Sequence, residues 1–284
     1  MLKKFLFNLN RLANESIGID IRSLKKNSLE RYAVDKSVRP WSAEYFAKKI
    51  KDAINIEFDD SNDFWFYTPG VKIYWVRIAR EGKGSLAGGF HINGASMIFL
   101  TRQQKFWEDS ERLFDRFENK GEMLDDPRAL SWIECTTGIG SGLATESYGC
   151  TRIKDSADLD EFYFYDSGKL YDLPFQSAEA YFDALFSSAA VECWQYFFID
   201  PQVIIEKNKG LPYITWNLHY RSHLSDGIGL LQYNPAIPYD RLDLINEYLE
   251  RCVLLLPKSF PFLDFSHHIA YYENFQQLYE ASKD

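Results

Sequence analysis

The chain has 284 residues, enough for one large domain or two small ones, and 46% hydrophobic with 26% charged residues is typical of a packed globular protein. Its 41 Asp and Glu residues outnumber its 32 Lys and Arg residues, which gives a formal net charge of −9. Because this negative field repels nucleic acids and anionic membranes, we exclude both as partners and favour a basic one.

The four cysteines, Cys135, Cys150, Cys193 and Cys252, are expected to be free thiols. They form no C-x-x-C pair and fit no zinc motif, and three of them lie in apolar surroundings, which favours burial in a reducing compartment. No run of residues approaches the roughly 20 apolar positions of a membrane span, and Asn8 interrupts the first apolar stretch too early for a signal peptide. We therefore expect a cytoplasmic protein.

The N-terminal part of the chain is predicted to lead into an antiparallel meander. Residues 1–40 form a polar, partly helical extension, with apolar residues at helical spacing. A helix capped by Ser42 follows, and turn residues then separate predicted strands at 64–67, 71–80 and 89–100.

The middle of the chain mixes helices with shorter strands. A helix is predicted at 102–119, a short strand at 131–136 and a glycine-rich loop at 137–149. A hairpin at 162–173 then leads into a helix that Ser177 caps. The buried stripe predicted for this helix consists of Tyr181, Phe182, Leu185 and Ala189.

The C-terminal part is predicted to be irregular at 200–237, with prolines at 201, 212, 235 and 238, and helical after that. Pro257 is expected to end the first of two helices. The residues predicted to line these helices are Leu242, Ile245, Leu249 and Cys252 in the first, and Ile269, Tyr272 and Tyr279 in the last.

This order of elements predicts an α+β fold with a mostly antiparallel central sheet flanked by helices. Three parts are predicted: the extension at 1–40, the α+β domain at 41–200, and a mainly helical extension at 201–284 packed on that domain.

The glycine-rich segment Gly138–Gly142 follows a predicted strand, as a nucleotide-binding loop would. The last position of a dinucleotide fingerprint falls on Leu143 or Thr145, however, and no Gly-Lys-Ser/Thr follows. Ser141 does not lie in a G-x-S-x-G elbow. A flexible loop is favoured, and a hydrolase that uses this loop is kept as a third hypothesis.

Two histidine pairs are candidate metal ligands. His219 and His223 have a suitable spacing on a helix, but no Glu lies between them and the flanking sequence is typical of a loop. His267 and His268 are adjacent and would point apart on a helix. We interpret both pairs as unrelated polar surface residues and predict no metal and no cofactor.

Two acidic clusters are the candidate partner-binding residues, and a solvated turn is the alternative interpretation of each. Carboxylate pairs need a cleft to perform acid–base chemistry, and nothing in these turns would bury them. An electrostatic surface that speeds association with a basic partner is the functional interpretation. The candidates are Asp59, Asp60, Asp63, Asp155, Asp158, Asp160 and Glu161.

Four segments together resemble the SUKH superfamily of Smi/Knr-type proteins. They are an aromatic strand, a turn and a strand with Trp at 64–75, a glycine-led strand at 89–93, a helix entry at 171–182, and a Trp-Gln-aromatic element at 192–197. The resemblance covers roughly residues 42–200 and leaves both ends of the chain outside it.

The resemblance implies an α+β fold without enzymatic activity. Many bacterial members are immunity proteins that bind and block a toxin of a polymorphic or contact-dependent system, often a nuclease, and other members are regulatory or scaffold proteins. Matching positions are Gly70, Trp75, Gly89 and Trp194, whose implied role is structural: glycine relieves a backbone constraint and tryptophan fills the core.

The sequence thus predicts a cytoplasmic immunity protein that binds a basic toxin one-to-one. Acidic residues would steer the toxin, and exposed Tyr or Trp side chains would anchor it. A cytosolic regulatory or scaffold protein of the same fold is the alternative.

Overall fold

A computed structural model describes residues 2–26, 43–58, 71–77, 86–92, 95–100, 131–136, 147–152, 156–166, 169–211 and 240–283. The predicted strand at 64–67, the predicted helix at 102–119 and most of the predicted glycine-rich loop lie outside these described residues.

Within the described part of the chain, seven antiparallel strands form one sheet in which neighbours in space are also neighbours in sequence. The strands β3 and β4 are joined by two residue pairs, His91 with Cys135 and Ile92 with Glu134, so the sheet consists of two halves with a short junction. The strands are β1 (Asp20–Lys25), β2 (Lys72–Arg77), β3 (Leu86–Ile92), β4 (Ser131–Thr136), β5 (Ser147–Thr151), β6 (Phe162–Asp166) and β7 (Lys169–Leu173).

Helices flank this sheet, and the predicted α+β class with C-terminal helices is confirmed. Side chains from the helices and from one face of the sheet form a continuous apolar core. The helices are α1 (Leu2–Asn14), α2 (Ala43–Ile54), α3 (Ala95–Leu100), α4 (Ala178–Ser187), a 3-10 helix (Trp194–Phe198), α5 (Pro201–Asn208), α6 (Arg241–Ser259) and α7 (Ser266–Ala281).

The predicted N-terminal extension contributes helix α1 to this core. Phe5, Leu9 and Leu12 on α1 are buried at helical spacing, and burying each such side chain stabilises the fold by about 1.5–3 kcal/mol. Strand β1 pairs with β2, with a register shift between Ile21 and Ser23. The boundaries proposed at residues 40 and 200 stay predictions, but part of the first segment belongs to the sheet.

Helix α4 begins where the sequence predicts. The Ser177 side chain accepts a hydrogen bond from the Ala180 backbone N–H at 3.2 Å, which satisfies one of the free donors of the first turn. Tyr181, Phe182 and Leu185 are buried, as the predicted stripe requires.

The strand predicted at 89–100 is wrong in its second half. Strand β3 ends at Ile92, and Ala95–Leu100 is helix α3. Ala95, Ile98 and Phe99 are buried at the i, i+3, i+4 spacing of a helix. A short apolar run is compatible with a buried strand or a buried helix, so periodicity alone does not separate the two.

Two prolines in the C-terminal part lie within helices, contrary to the prediction. Pro201 begins helix α5 instead of breaking it, because the first helical position needs no N–H donor and the Asp200 side chain caps the helix. Pro257 lies inside α6, which continues to Ser259. On α7, Tyr272 and Tyr279 are buried as predicted, whereas Ile269 is 40% exposed and does not line the core.

Cys150, Cys193 and Cys252 are buried and carry thiols rather than disulfides, as predicted from their apolar surroundings. No helix in the described ranges is both long enough and apolar enough to cross a membrane.

Candidate functional site

The face of strands β5–β7 that points away from the core carries a second, smaller aromatic cluster. Side chains alternate along β6, so Phe162 and Phe164 enter the main core while Tyr163 and Tyr165 point to the opposite face. We term this opposite face the tyrosine face; it is formed by Tyr148, Cys150, Tyr163, Tyr165 and Leu170.

The register of the strands sets the neighbours of each tyrosine. Tyr163 lies opposite Cys150 on β5 and opposite Asp172 on β7. Tyr165 is buried and stacks on Tyr148 with 6.0 Å between ring centroids. Tyr148 and Tyr163 are half-buried, so each presents an apolar ring that is partly accessible and a polar hydroxyl.

Charged groups surround Tyr163. Its hydroxyl donates to Glu161 Oε2 at 3.1 Å, and the Arg152 guanidinium lies 6.0 Å from its ring centroid and 3.5 Å from the same carboxylate oxygen. Burial raises the pKa of Tyr163 to about 12, and Glu161 and Asp172 add to the effect while Arg152 opposes it. The hydroxyl is therefore protonated and donates at neutral pH.

The described acidic candidates lie on the approach to β6. Asp158 and Asp160 are exposed and alternate with Ala157 and Leu159, which are buried in the core. This alternation holds the two aspartates outward, immediately before Glu161 at the edge of the tyrosine face. Asp59, Asp60, Asp63 and Asp155 lie outside the described residues.

Arg152, Tyr163 and Asp172 were not among the site residues predicted from the sequence. The available signal was the alternation of Phe and Tyr along 162–165, which places two tyrosines on one face. Their charged neighbours come from register, which sequence alone does not reveal.

Two of the four positions that match the SUKH pattern are tryptophans buried in the core. Trp75 is fully buried and its indole N–H donates to the Ala189 carbonyl at 3.0 Å. Trp194 is fully buried and packs edge-on against Tyr181, with ring centroids 5.2 Å apart. Gly89 has a φ of +146°, and a Cβ there would lie 2.2 Å from the Ile73 carbonyl oxygen. Gly70 lies outside the described residues.

The interpretation of His268 as a surface residue is wrong. Its side chain is 1% exposed, and its Nε2 lies 2.8 Å from Ser188 Oγ. Burial, and then the neighbouring His267, lower the pKa of His268 to about 3. His267 itself is exposed and hydrogen-bonds to the Phe197 carbonyl at 2.9 Å.

Within the described part of the chain, the Ser188–His268 pair has no third member of a catalytic triad. Among the residues that the structure describes, none hydrogen-bonds to the buried Nδ1 atom of His268, whereas a triad places an orienting carboxylate there. The neighbouring Asp264 instead accepts from the Ser266 backbone N–H at 2.9 Å. Ser188 is also fully buried, so we interpret the pair as a packing contact between α7 and the end of α4.

The described residues form neither a large cavity nor a metal-binding cluster elsewhere. A recess between α1 and α4 has a volume of about 10 Å³, which is room for about one water molecule. In the described part of the chain, no three His, Cys, Asp or Glu side chains lie close enough together to hold a metal ion. The predicted pair His219 and His223 and the predicted Gly138–Gly142 loop lie outside the described residues.

Comparisons of this chain with protein-family models, with curated proteins and with solved structures find no match. Membership of the SUKH superfamily therefore stays a prediction from the resemblance.

Proposed function

We propose that this protein is a cytoplasmic immunity protein that binds a basic toxin one-to-one and neutralises it. The main support for a binding surface is the environment of Tyr163. Its aromatic ring is accessible and is flanked by the carboxylates of Glu161 and Asp172. Asp158 and Asp160 extend the negative charge beside it. The identity of the partner as a toxin rests on the resemblance to SUKH immunity proteins.

The geometry around Tyr163 supports an arginine or lysine as the group that is recognised. Arg152 already lies over the ring while pairing with Glu161, so a cation can contact this ring and a carboxylate together. A second guanidinium, from the partner, would find Asp172 exposed on the other side of the same ring. Contacts between Arg and carboxylates are charge-assisted, and Tyr is common among interface residues that dominate affinity.

Buried thiols at Cys150, Cys193 and Cys252 are compatible with the reducing cytoplasm. A regulatory or scaffold protein of the same fold would use the same surface for a partner that is not toxic. Toxicity of the partner therefore separates the two functions.

The test takes the product of the neighbouring gene as the candidate toxin and expresses it in a bacterium with and without the full chain. We expect the wild-type chain to restore growth and to bind the purified toxin. The triple variant Asp158→Lys, Asp160→Lys, Asp172→Lys changes exposed side chains only. We expect it to slow association at low salt by about tenfold or more and to weaken the decrease of the association rate with added salt.

The matched control is Glu247→Lys with Glu273→Lys. Both residues are exposed on α6 and α7, on the core side of the sheet. Unchanged association of the triple variant, or equal slowing by the control, would rule out the tyrosine face as the toxin-binding surface. Binding to a partner without toxicity would favour the scaffold function.

A further inference from the structure

The outward face of strands β1–β3 carries a row of three basic side chains, Lys25, Lys72 and His91, which we term the basic row. Lys25 lies directly opposite Lys72 in the register of β1 and β2, and Lys72 lies directly opposite His91 in that of β2 and β3. Residues paired in this way point to the same face, with Cβ atoms about 4.5–5.5 Å apart. The row therefore spans three strands, or about 10 Å.

Like charges in directly opposed positions destabilise a sheet. Among the described residues, no carboxylate forms an ion pair with any member of the basic row. Asp20 on the same edge strand pairs with Arg22 instead, at 2.7 Å. Burial lowers the pKa of His91, and Lys72 and Lys25 lower it further, so the positive potential of the row reaches the imidazole.

The aromatic ring of Tyr74 lies beside the basic row on the same face of the sheet. Tyr74, two residues after Lys72 on the same face, lies opposite Gly89. A Cβ on Gly89 would come within 2.6 Å of the Tyr74 ring, so the ring packs directly on the glycine backbone. The Lys72 ammonium lies 5.9 Å from the centroid of that ring. Lys25 is exposed and the other two members are half-buried, which leaves the row accessible.

We propose that the basic row binds a phosphoryl group. Two ammonium groups and one imidazole offer donors at three points, and a phosphoryl group offers three strong acceptor oxygens and up to two negative charges. The group would offset the repulsion within the row. Its source is a small phosphorylated compound or a phosphorylated side chain of a partner protein. This site lies on the other half of the sheet from the tyrosine face, so it does not depend on the proposed function.

The test is titration of the full-length chain with sodium pyrophosphate at constant ionic strength, followed by calorimetry and by the imidazole NMR signal of His91. We expect saturable binding that shifts this signal. Lys25→Gln and Lys72→Gln should each weaken pyrophosphate binding about two- to fivefold, and the double variant more. Lys48→Gln, an exposed lysine on α2, is the matched control and should bind as the wild type does.

Absence of saturation, or equal loss in the Lys48 control, would overturn the proposal. Because Lys25 is exposed on an edge strand, the Lys25→Gln variant folds even if the Lys72 variant does not. Unaltered pyrophosphate affinity of Lys25→Gln would therefore also overturn the proposal.

A phosphoserine peptide that binds at least about tenfold more tightly than inorganic phosphate identifies a protein source. Equal affinities identify a small compound. Toxin binding measured on Lys25→Gln separates this site from the proposed function.

Discussion

Asp166 at the end of β6 and Arg241 at the start of α6 form a buried ion pair across 75 residues of sequence, with Arg241 Nη2 2.5 Å from Asp166 Oδ2. Each partner is also hydrogen-bonded within the core. Tyr196 and Ser147 donate to the Asp166 carboxylate, and Arg241 Nε donates to Asn208 Oδ1 at 2.9 Å. This network joins the sheet, the 3-10 helix and the C-terminal helices.

We expect Asp166→Asn to destabilise the protein by about 3–5 kcal/mol, because it leaves the Arg241 charge buried without its counter-charge. Urea unfolding followed by circular dichroism measures the change. The control is Lys4→Ala, which removes an ion pair with Asp183 at 2.6 Å whose side chains are 52% and 42% exposed. That change should cost less than about 1 kcal/mol of stability. Equal losses in the two variants would show that the buried ion pair contributes no more than the exposed one.

We expect stability to decrease as the pH falls below about 6.5, the ordinary pKa of histidine. His268 has a pKa of about 3 in the folded chain, so the folded state favours the neutral ring. Its contribution is complete above the unfolded pKa and is lost as the pH falls towards the folded pKa, at about 1.4 kcal/mol per unit of pH.

The comparison variant for this pH effect is His268→Gln, whose amide can still donate to Ser188 but does not titrate. Unfolding free energies of both proteins between pH 7 and pH 4 isolate the histidine from the carboxylates that titrate in the same range. Parallel curves for the two proteins would show that His268 does not carry the effect.

Gly89→Ala should destabilise the protein by about 2 kcal/mol or more, or prevent folding. The reason is twofold, because the φ of +146° is strained for any L side chain and the new Cβ would meet the Ile73 carbonyl oxygen. Gly18 offers the matched control, since it has a φ of +69° with nothing within 4 Å of an added Cβ. Gly18→Ala should cost about 1 kcal/mol, and thermal unfolding of the two variants checks the order.

Tyr163→Ala should weaken toxin binding by about 2 kcal/mol or more, which is about thirtyfold in affinity, because it removes the anchor of the tyrosine face. Tyr45→Ala is the control, since Tyr45 is 51% exposed on α2, away from that face. Calorimetry with the purified toxin measures both. If the Tyr45 variant loses as much affinity as the Tyr163 variant, the anchor has been placed wrongly.

Local chemistry decided the elements that the sequence predicts well. Ser177 caps α4 because a cap acts within three residues, and strands β6 and β7 begin at Phe162 and end at Leu173, as the predicted hairpin does. The class of the fold follows from the order of such elements. Helix α3 was mistaken for a strand because six residues hold too little periodicity to identify a helix.

The α+β class, the Ser177 cap and most of the buried apolar stripes follow from neighbours along the chain, and the negative charge follows from composition. By contrast, the pairing of Tyr163 with Asp172, the row of Lys25, Lys72 and His91, and the burial of His268 arise only in the folded chain. These contacts depend on strand register and helix packing. A shift of one residue in register would turn every side chain of a strand to the other face.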